Sequence, residues 1–316
     1  MNTNVEMGKS PALDTLLHQL LAEEGLPASF RATVDRVYRP LAEELAARVA
    51  NTPGPLVVGI CGAQGSGKST LAKFVAAILD AEQGLPCAAF SLDDLYLTGA
   101  ERRQLAADVH PLLAVRGVPG THDIELGLDV LKDLAQAGNH DFTAIPAFDK
   151  AVDDRRPQAA WPVFRGRPRV ILVEGWCVGA RPQQEAELAQ PINAVEQQRD
   201  RDGRWRHYVN AQLAGRYQQL FARLEMLILI RVPRWELVRD WRLVQEEKLR
   251  ARLRAQGGDA SALMSPEQVG TFVQYYERIT RHILAEMPAR ADCLLTLDEN
   301  HDIAAVVGLA ARSGPA

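Results

Sequence analysis

One short segment of this chain restricts its possible folds more than any other feature. An apolar, largely β-branched run leads directly into a glycine-rich segment, Leu56-Val57-Val58-Gly59-Ile60-Cys61 followed by Gly62-Ala63-Gln64-Gly65-Ser66-Gly67-Lys68-Ser69. The run predicts a parallel strand covered on both faces, and residues 71–79 predict a helix. Glycines between such elements let successive backbone N–H groups surround a phosphate at the positive end of the helix. The segment therefore predicts a phosphate-binding loop, or P-loop.

The residues of this loop have distinct expected roles in binding a nucleoside triphosphate, for which we expect ATP. Lys68 is expected to bridge the β- and γ-phosphates, Ser69 to ligate Mg²⁺, and Thr70 to lie near the α-phosphate. The expected ATP-binding residues are Gly62, Ala63, Gln64, Gly65, Ser66, Gly67, Lys68, Ser69 and Thr70. The expected cosubstrate and cofactor are thus ATP and Mg²⁺.

The rest of the chain predicts an α/β fold around this loop. Four more apolar runs resemble buried strands, at 87–92, 170–174, 226–230 and 293–297. Helical stretches separate most of them, which predicts a five-stranded parallel sheet with helices on both faces, the P-loop NTPase fold. We expect an N-terminal helical extension at 1–50, because its apolar residues have helical spacing, and a kinase domain at 51–316.

Three further segments have individual interpretations. The stretches 98–169 and 181–210 are too long for simple crossovers, and loops of that size usually bind substrates or act as lids. The sequence Ser265-Pro266-Glu267-Gln268 combines an N-cap, a proline in the first turn and a capping-box glutamine before an apolar helix face. We interpret this helix as core scaffold and not as part of a site.

The net charge and the cysteine content indicate which binding partners and which cellular compartment to expect. The net charge is −4 and no apolar run approaches 18 residues, so we expect neither a nucleic-acid nor a membrane partner. Residues 1–10 lack the apolar core of a signal peptide. The four scattered cysteines have no metal-ligand spacing and are typical of reduced thiols. We expect a cytoplasmic protein. The sequence does not determine its oligomeric state.

Three carboxylates follow the predicted strands. Asp93 and Asp94 end the second strand, at the carboxyl edge where α/β sheets bind ligands. A carboxylate there could accept the proton of the acceptor hydroxyl during phosphoryl transfer, or hold a Mg²⁺-bound water. Asp pairs also cap helices and fill turns. Glu174 ends the strand 170–174 in the Walker B pattern, with Glu for the commoner Asp, and is expected to orient Mg²⁺. A solvated strand end is the alternative.

Several motifs together resemble one superfamily of kinases, that of uridine kinase, phosphoribulokinase and pantothenate kinase. Within it, the chain is most similar to D-glycerate 3-kinases of the plant type and their fungal and bacterial relatives. The motifs that carry this resemblance, beyond the P-loop, are Ser91-Leu92-Asp93-Asp94-Leu95-Tyr96-Leu97-Thr98, Arg116-Gly117-Val118-Pro119-Gly120-Thr121-His122-Asp123, Pro146-Ala147-Phe148-Asp149-Lys150-Ala151 and Leu172-Val173-Glu174-Gly175-Trp176. They keep the family order between about residues 56 and 300.

The resemblance implies specific site residues. Asp93 matches the family's general base, and Asp94 is then a supporting acid. We also assign Asp94 to the metal site, together with Ser69 and Glu174. The implied acceptor-binding residues are Asp93, Tyr96, Arg116, His122, Asp123, Asp149 and Lys150. His and Asp there would grip vicinal hydroxyls, and Arg a carboxylate.

A lid is also implied, at about 231–255. Arg239 and Arg242 are three residues apart on one helical face, so either could stabilise the charge on the transferring phosphoryl group. Together with Lys68 and Asp93 they form the expected catalytic set. A surface helix with ion pairs is the alternative. Phe148, Leu95 and Ala151 replace the family's usual Tyr, Phe and Ser. None of the three belongs to the phosphate machinery, and a different acceptor is the alternative that they leave open.

Three functions fit these motifs. The first is an ATP-dependent kinase that converts D-glycerate to 3-phosphoglycerate. The second is a kinase for another small alcohol, such as a nucleoside, a sugar acid or a pantothenate-like compound. The third is a P-loop regulatory protein with little kinase activity, since fold alone does not determine chemistry. An acceptor-side carboxylate at Asp93 favours a kinase, because a pure switch needs no such group.

Overall fold

The computed structural model describes residues 11–255 and 264–309. Residues 1–10 and 310–316, the outer ends of the expected extension and kinase domain, lie outside the described residues, as do residues 256–263. The helices are α1 Pro11–Glu23, α2 Arg31–Thr33, α3 Arg39–Val49, α4 Lys68–Gln83, α5 Gly99–Asp108, α6 Ile124–Gln136, α7 Ala194–Arg199, α8 Arg204–Gln212, α9 Gln218–Phe221, α10 Glu236–Ala255 and α11 Pro266–Glu286. The strands are β1 Leu56–Gly62, β2 Cys87–Ser91, β3 Phe142–Ala144, β4 Phe148–Asp149, β5 Asp154–Arg155, β6 Val163–Arg165, β7 Val170–Gly175, β8 Met226–Arg231, β9 Cys293–Leu297 and β10 Ile303–Val307. Within the two described ranges, every helix is too short or too polar to cross a membrane.

In the described part of the chain, the central sheet has six strands in the order β10-β9-β8-β1-β7-β2. The five predicted strands are confirmed as β1, β2, β7, β8 and β9, and they pair in parallel. The strand count of five is wrong, because β10 adds an antiparallel edge strand next to β9. Only Ile303 of β10 is buried, and its Ile-Ala-Ala-Val-Val sequence contains alanines that favour helix over strand.

Both faces of this sheet are covered, as predicted. All six residues of β7 are buried, and successive side chains of a strand point to opposite faces. Helix α4 packs against β1, β2 and β7, and α1 and α3 pack on α4. Their fully buried residues form one core with the sheet, for example Leu17, Leu41, Leu45 and Phe74. The boundary between an extension and a kinase domain at residue 50 stays a prediction.

The long insertion at 98–169 contains helices α5 and α6 and two small antiparallel sheets, β3–β6 and β4–β5. The β4–β5 hairpin is held at the end of β2, since the Phe148 N–H donates to Asp94 Oδ1 at 3.2 Å. Buried Arg102 also binds the hairpin turn through Asp153 at 2.9 Å. These contacts bring residues 148–155 to the carboxyl edge of the sheet.

Helix α11 begins as its sequence predicts. The Ser265 side chain accepts from the Gln268 N–H at 3.2 Å, and the Gln268 side chain accepts from the Ser265 N–H at 2.7 Å. This reciprocal capping box satisfies two of the N–H groups that a helix start leaves unpaired. Because α11 starts at a defined residue, the register of its inner face is defined as well.

Candidate active site

The P-loop connects the end of β1 to the start of α4. Gly67 has φ +89°, a left-handed conformation that glycine adopts without steric cost, and α4 begins at the next residue, Lys68. The first N–H groups of α4 have no partners within the helix, and they carry the positive end of its dipole. The loop is therefore built to bind an anion such as a phosphate.

Ser69 and Glu174 lie together beside the loop. The Ser69 hydroxyl donates to Glu174 Oε1 at 2.7 Å, and Lys68 Nζ lies 4.0 Å from Glu174 Oε2. Glu174 Oε2 is buried and has no hydrogen-bond partner within residues 11–255 and 264–309. A hydroxyl and an unpaired carboxylate oxygen are ligands that Mg²⁺ prefers. These two side chains therefore fit the expected metal ion.

Asp93 follows β2 and is held by two donors. Lys150 Nζ donates to Asp93 Oδ2 at 2.7 Å, and the Tyr96 hydroxyl donates to Oδ1 at 2.9 Å. Burial by itself would raise the pKa of Asp93, but the charges of Lys150 and Lys68 and these hydrogen bonds hold it well below its usual range. In this state Asp93 is an ionised carboxylate whose oxygens are both engaged.

Asp94 is engaged by the backbone on both oxygens. Oδ2 accepts from the Ser91 N–H at 3.4 Å, completing a capping box with Ser91, and Oδ1 accepts from Phe148. Burial is the main cause that raises the pKa of Asp94. Asp94 thus joins the end of β2 to the β4–β5 hairpin, and its assignment to the metal stays a prediction.

A cleft of about 490 Å³ brings eleven of the predicted residues together. They are Gln64, Gly65, Lys68, Ser69, Asp93, Asp94, Tyr96, Arg116, Lys150, Glu174 and Arg242. Arg116 pairs with Asp153, and its guanidinium lies 5.5 Å from the centre of the Phe148 ring. The residues predicted for the phosphate loop, for the base and for acceptor binding by cations therefore face one space.

Three predicted acceptor residues do not line this cleft. His122 lies behind Tyr96, with the two rings stacked at 4.5 Å, and its Nδ1 is 2.6 Å from the Tyr217 hydroxyl. Asp123 caps α6 through the Leu126 N–H and pairs with Arg155 at 3.2 Å. Asp149 accepts from the Ala151 N–H at 3.0 Å. Their direct contact with an acceptor stays a prediction.

The two lid arginines differ in position. Arg242 lines the cleft and pairs with Glu246 at 2.7 Å, whereas exposed Arg239 pairs with Asp240 and borders a separate groove between α10 and α11. Both lie on helix α10, and the assignment of this helix as a lid stays a prediction. Of the two arginines, Arg242 is therefore the one that faces the cleft.

Sequence reasoning missed the aromatic wall of the cleft. Phe272 and Tyr276 of α11 line it together with Trp176, so the interpretation of α11 as scaffold alone is wrong. The Tyr276 hydroxyl donates to the Arg116 carbonyl at 3.2 Å, and the Trp176 indole donates to the Gly117 carbonyl at 2.8 Å. No sequence signal distinguishes these two α11 aromatics from core residues, because they belong to the same apolar face.

Comparisons with known proteins identify kinases among the proteins similar to this chain. No family model matches the chain. The uncharacterized kinase mug58 of Schizosaccharomyces pombe is 34% identical over 240 residues, which cover 70% of this chain and 78% of that kinase. The chloroplastic D-glycerate 3-kinase of Arabidopsis thaliana is 30% identical over 229 residues, which cover 70% of this chain but 46% of the plant protein. The chain thus spans about half the length of this plant relative.

A solved structure shows the same fold. The D-glycerate 3-kinase of Cryptococcus neoformans var. grubii superposes with a TM-score of 0.67 at 24% identity, over 89% of this chain and 99% of that one. The superposition includes most of the described chain and is not confined to the P-loop. At this identity it supports the fold, and the chemistry depends on the residues of the cleft.

Proposed function

Because this chain belongs to the family of P-loop kinases that includes mug58 and D-glycerate 3-kinase, we propose that it transfers the γ-phosphoryl group of ATP to D-glycerate. The products are 3-phosphoglycerate and ADP, and Mg²⁺ is the cofactor. The proposal rests mainly on one observation: Lys150 contacts Asp93 in a cleft that also contains Lys68 and Arg116. This arrangement suits an acceptor with both a hydroxyl and a carboxylate.

The donor phosphates bind to the N–H groups of the P-loop and to Lys68. Lys68 neutralises charge on the γ-phosphoryl oxygens as the bond to the β-phosphate breaks. Ser69 and Glu174 are the residues that would hold Mg²⁺, which would supply further neutralisation of charge on these oxygens. Arg242 approaches the same oxygens from helix α10 and excludes water from the cleft.

The acceptor hydroxyl loses its proton to Asp93. Asp93 Oδ2 is now occupied by Lys150, so the hydroxyl reaches this oxygen only when Lys150 moves away. The acceptor carboxylate gives the exposed Lys150 ammonium a new partner, and Arg116 a second ion pair. Acceptor binding therefore frees the base, and Tyr96 continues to orient it through Oδ1.

The reaction is proposed to occur in the cytosol. Cys61, Cys87, Cys177 and Cys293 are all free thiols, which is typical of proteins from reducing compartments. The plant relative is by name chloroplastic.

The first test is ADP release in a coupled assay with Mg²⁺ and ATP. The acceptors are D-glycerate, L-glycerate, gluconate, uridine, pantothenate and none. We expect acceptor-dependent release with D-glycerate. Faster turnover of uridine or pantothenate than of D-glycerate would mean that the protein is a kinase for another small alcohol. ATP binding without acceptor-dependent ADP release would mean that it is a P-loop regulatory protein with little kinase activity.

A variant tests the base. Asp93→Asn is expected to lower kcat by roughly 10²- to 10⁴-fold, because it removes general-base catalysis, while ATP binding measured by calorimetry stays intact. The matched control is Asp108→Asn, which changes an exposed aspartate on α5 that pairs with Gln104. Unchanged turnover in Asp93→Asn would remove this residue from the mechanism.

A further inference from the structure

Asp153 lies in the turn of the β4–β5 hairpin and binds two arginines with one carboxylate. Arg102 of α5 donates to Asp153 Oδ1 at 3.2 Å and to the Asp153 carbonyl at 2.6 Å, and Arg116 pairs with the same Oδ1. The Arg102 side chain is 2% exposed and that of Asp153 51%, so the buried arginine is the fixed partner. The carboxylate therefore connects a fixed arginine inside the insertion to an arginine that lines the cleft.

The backbone conformation of Asp153 is unusual for a residue with a side chain. Its φ is +55°, in the left-handed region that glycine adopts without steric cost, and within residues 11–255 and 264–309 only His301 is another non-glycine residue with positive φ. Aspartate and asparagine tolerate this region better than most residues, because their short polar side chains form local hydrogen bonds. An ion-paired aspartate in place of a less strained glycine indicates that the carboxylate has a function.

The same turn carries Lys150, three residues before Asp153. Lys150 contacts Asp93 at the end of β2, so the turn directs one cation to the base and holds a second cation, Arg116, through Asp153. The two cations act on each other: Asp93 raises the pKa of Lys150, whereas the positive charge of Arg116 acts to lower it. Because like charges repel, Lys150 and Arg116 need separate anionic partners until an anion binds beside both.

The five charged groups that this turn connects do not balance. Arg102, Arg116 and Lys150 carry three positive charges, and Asp93 and Asp153 carry two negative ones. A bound carboxylate supplies the missing negative charge. Asp153 keeps both arginines when this happens, since a guanidinium has several N–H donors and Arg116 can bind two carboxylates at once. The Arg102–Asp153 pair therefore gives Arg116 a defined position from which it binds an acceptor.

We propose that Asp153 is a positioning residue for acceptor recognition: held by Arg102, it fixes the guanidinium of Arg116 where the carboxylate of the acceptor binds. This inference rests on the proposed kinase function, and it restricts the acceptor to small alcohols that carry a carboxylate. It gives functions to Asp153 and to helix α5, which the sequence motifs do not include. Arg116 and Lys150 then share the acceptor carboxylate, and the acceptor hydroxyl takes the place of Lys150 at Asp93.

Asp153→Asn tests this role with little change in shape, since asparagine tolerates the same backbone conformation and still accepts a hydrogen bond from Arg102. The KM for a carboxylate acceptor is expected to rise roughly 10-fold, while kcat and the KM for ATP change by less than about twofold. The matched control Asp133→Asn removes the same charge from an exposed position on α6 and is expected to change none of these constants. An equal acceptor KM in the wild type and Asp153→Asn would overturn the inference.

A double-mutant cycle separates positioning from a merely structural role. Arg116→Gln alone is expected to raise the acceptor KM at least as much as Asp153→Asn does. The double variant is expected to match Arg116→Gln, because Asp153 acts on the acceptor only through Arg116. If Asp153→Asn simply loosened the hairpin, it would raise the KM by the same factor in both backgrounds, and that result would contradict the inference.

A third readout needs no acceptor. Phenylglyoxal modifies accessible guanidinium groups, and mass spectrometry measures the rate at each arginine. In Asp153→Asn, Arg116 is expected to be modified at least about 3-fold faster than in the wild type, because the ion pair no longer holds its guanidinium. The exposed Arg165 of β6 is the internal reference and is expected to react at the same rate in both proteins. Equal rates for Arg116 in the two proteins would refute the positioning role.

Failure of the inference and failure of the proposed function give different results. If gluconate or pantothenate is turned over instead of D-glycerate, the proposed substrate is wrong, yet the inference predicts the same effect of Asp153→Asn on the KM for that acid. If uridine, which has no carboxylate, is the only acceptor, the inference is wrong although the protein is a kinase. If no acceptor is turned over, the phenylglyoxal rates still decide whether Asp153 fixes Arg116.

Discussion

At the scale of single residues, burial and pairing determine which titratable groups are available for chemistry. Asp93 stays ionised because two lysines and the Tyr96 hydroxyl outweigh its burial. Among the described residues, no comparable cation or anion is in hydrogen-bond contact with His122, and burial lowers its pKa to about 3. Since the Tyr217 hydroxyl accepts from the Gly120 N–H at 2.9 Å, its own hydrogen is free for His122 Nδ1. His122 is then a neutral ring that supports Tyr96.

His122 makes stability depend on pH. Its pKa is lower in the folded state than the value of about 6.5 in the unfolded chain, so the unfolded chain binds more protons between about pH 6.5 and 3. Its contribution to stability is present above pH 6.5 and is lost as the pH falls. We expect this contribution to fall by about 1.4 kcal/mol per pH unit below about pH 6, measured by urea unfolding.

The control for this prediction compares slopes between variants. His122→Gln is expected to remove this part of the pH dependence between about pH 7.5 and 5.5, whereas His18→Gln, at an exposed position on α1, is expected to keep it. Equal slopes in the wild type and His122→Gln would show that His122 is not buried and neutral in the folded state.

At the scale of elements, helix α11 positions the loop that carries Arg116. Tyr276 binds the Arg116 carbonyl, and Gly117 packs directly on the Tyr276 ring. Gly117 has φ +139°, and a Cβ at this position would lie 2.0 Å from the Tyr276 hydroxyl oxygen. The close approach of loop and helix therefore requires glycine. It explains how a helix with a core-like sequence contributes to the site.

Gly117→Ala is expected to push the loop away from α11 and to displace Arg116. We expect the KM for the acceptor to rise roughly 10-fold and stability to fall by about 1–3 kcal/mol, with the affinity for ATP unchanged. Steady-state kinetics and calorimetry measure these effects separately.

Gly270→Ala is the matched control on the same helix, because nothing lies within 4 Å of a Cβ there. It is expected to preserve both kinetic constants and to stabilise α11 by up to about 1 kcal/mol. An unchanged acceptor KM in Gly117→Ala would mean that the loop position does not matter for the acceptor.

At the scale of the whole molecule, charge is distributed unevenly. The chain has a net charge of −4, yet the cleft collects Lys68, Arg116, Lys150 and Arg242 from four different segments. The protein as a whole does not attract anions, so attraction of the proposed anionic acceptor has to come from this local group of cations. Such an attraction weakens when salt screens it.

Salt is therefore expected to raise the KM for D-glycerate. With saturating ATP, increasing NaCl from about 25 to 250 mM should raise this KM roughly 3- to 10-fold, because the screening length becomes comparable with the size of the cleft. Lys150→Gln should have a higher KM at low salt and a weaker dependence on salt. A KM independent of salt in the wild type would argue against ion pairing as the basis of acceptor recognition.

The sequence by itself determined the phosphate site and most of the sheet. The P-loop, the five parallel strands, the capping box of α11 and the positions of Asp93 and Glu174 at strand ends all depend on residues adjacent in the chain. Local patterns of glycine, apolar and capping residues determine backbone conformation directly. The edge strand β10 was missed, because it is mostly exposed and its pairing with β9 sets its structure.

Only the tertiary structure decided which side chains meet in the cleft. Lys150 reaches Asp93 across 57 residues of sequence, and Tyr276 reaches the Arg116 loop across 160. His122 and Arg116 belong to one motif, yet His122 is buried behind Tyr96 and Arg116 faces the cleft. These long-range contacts depend on how the insertions and helices pack on the sheet. Because packing joins residues that are distant in the chain, no local pattern specifies it.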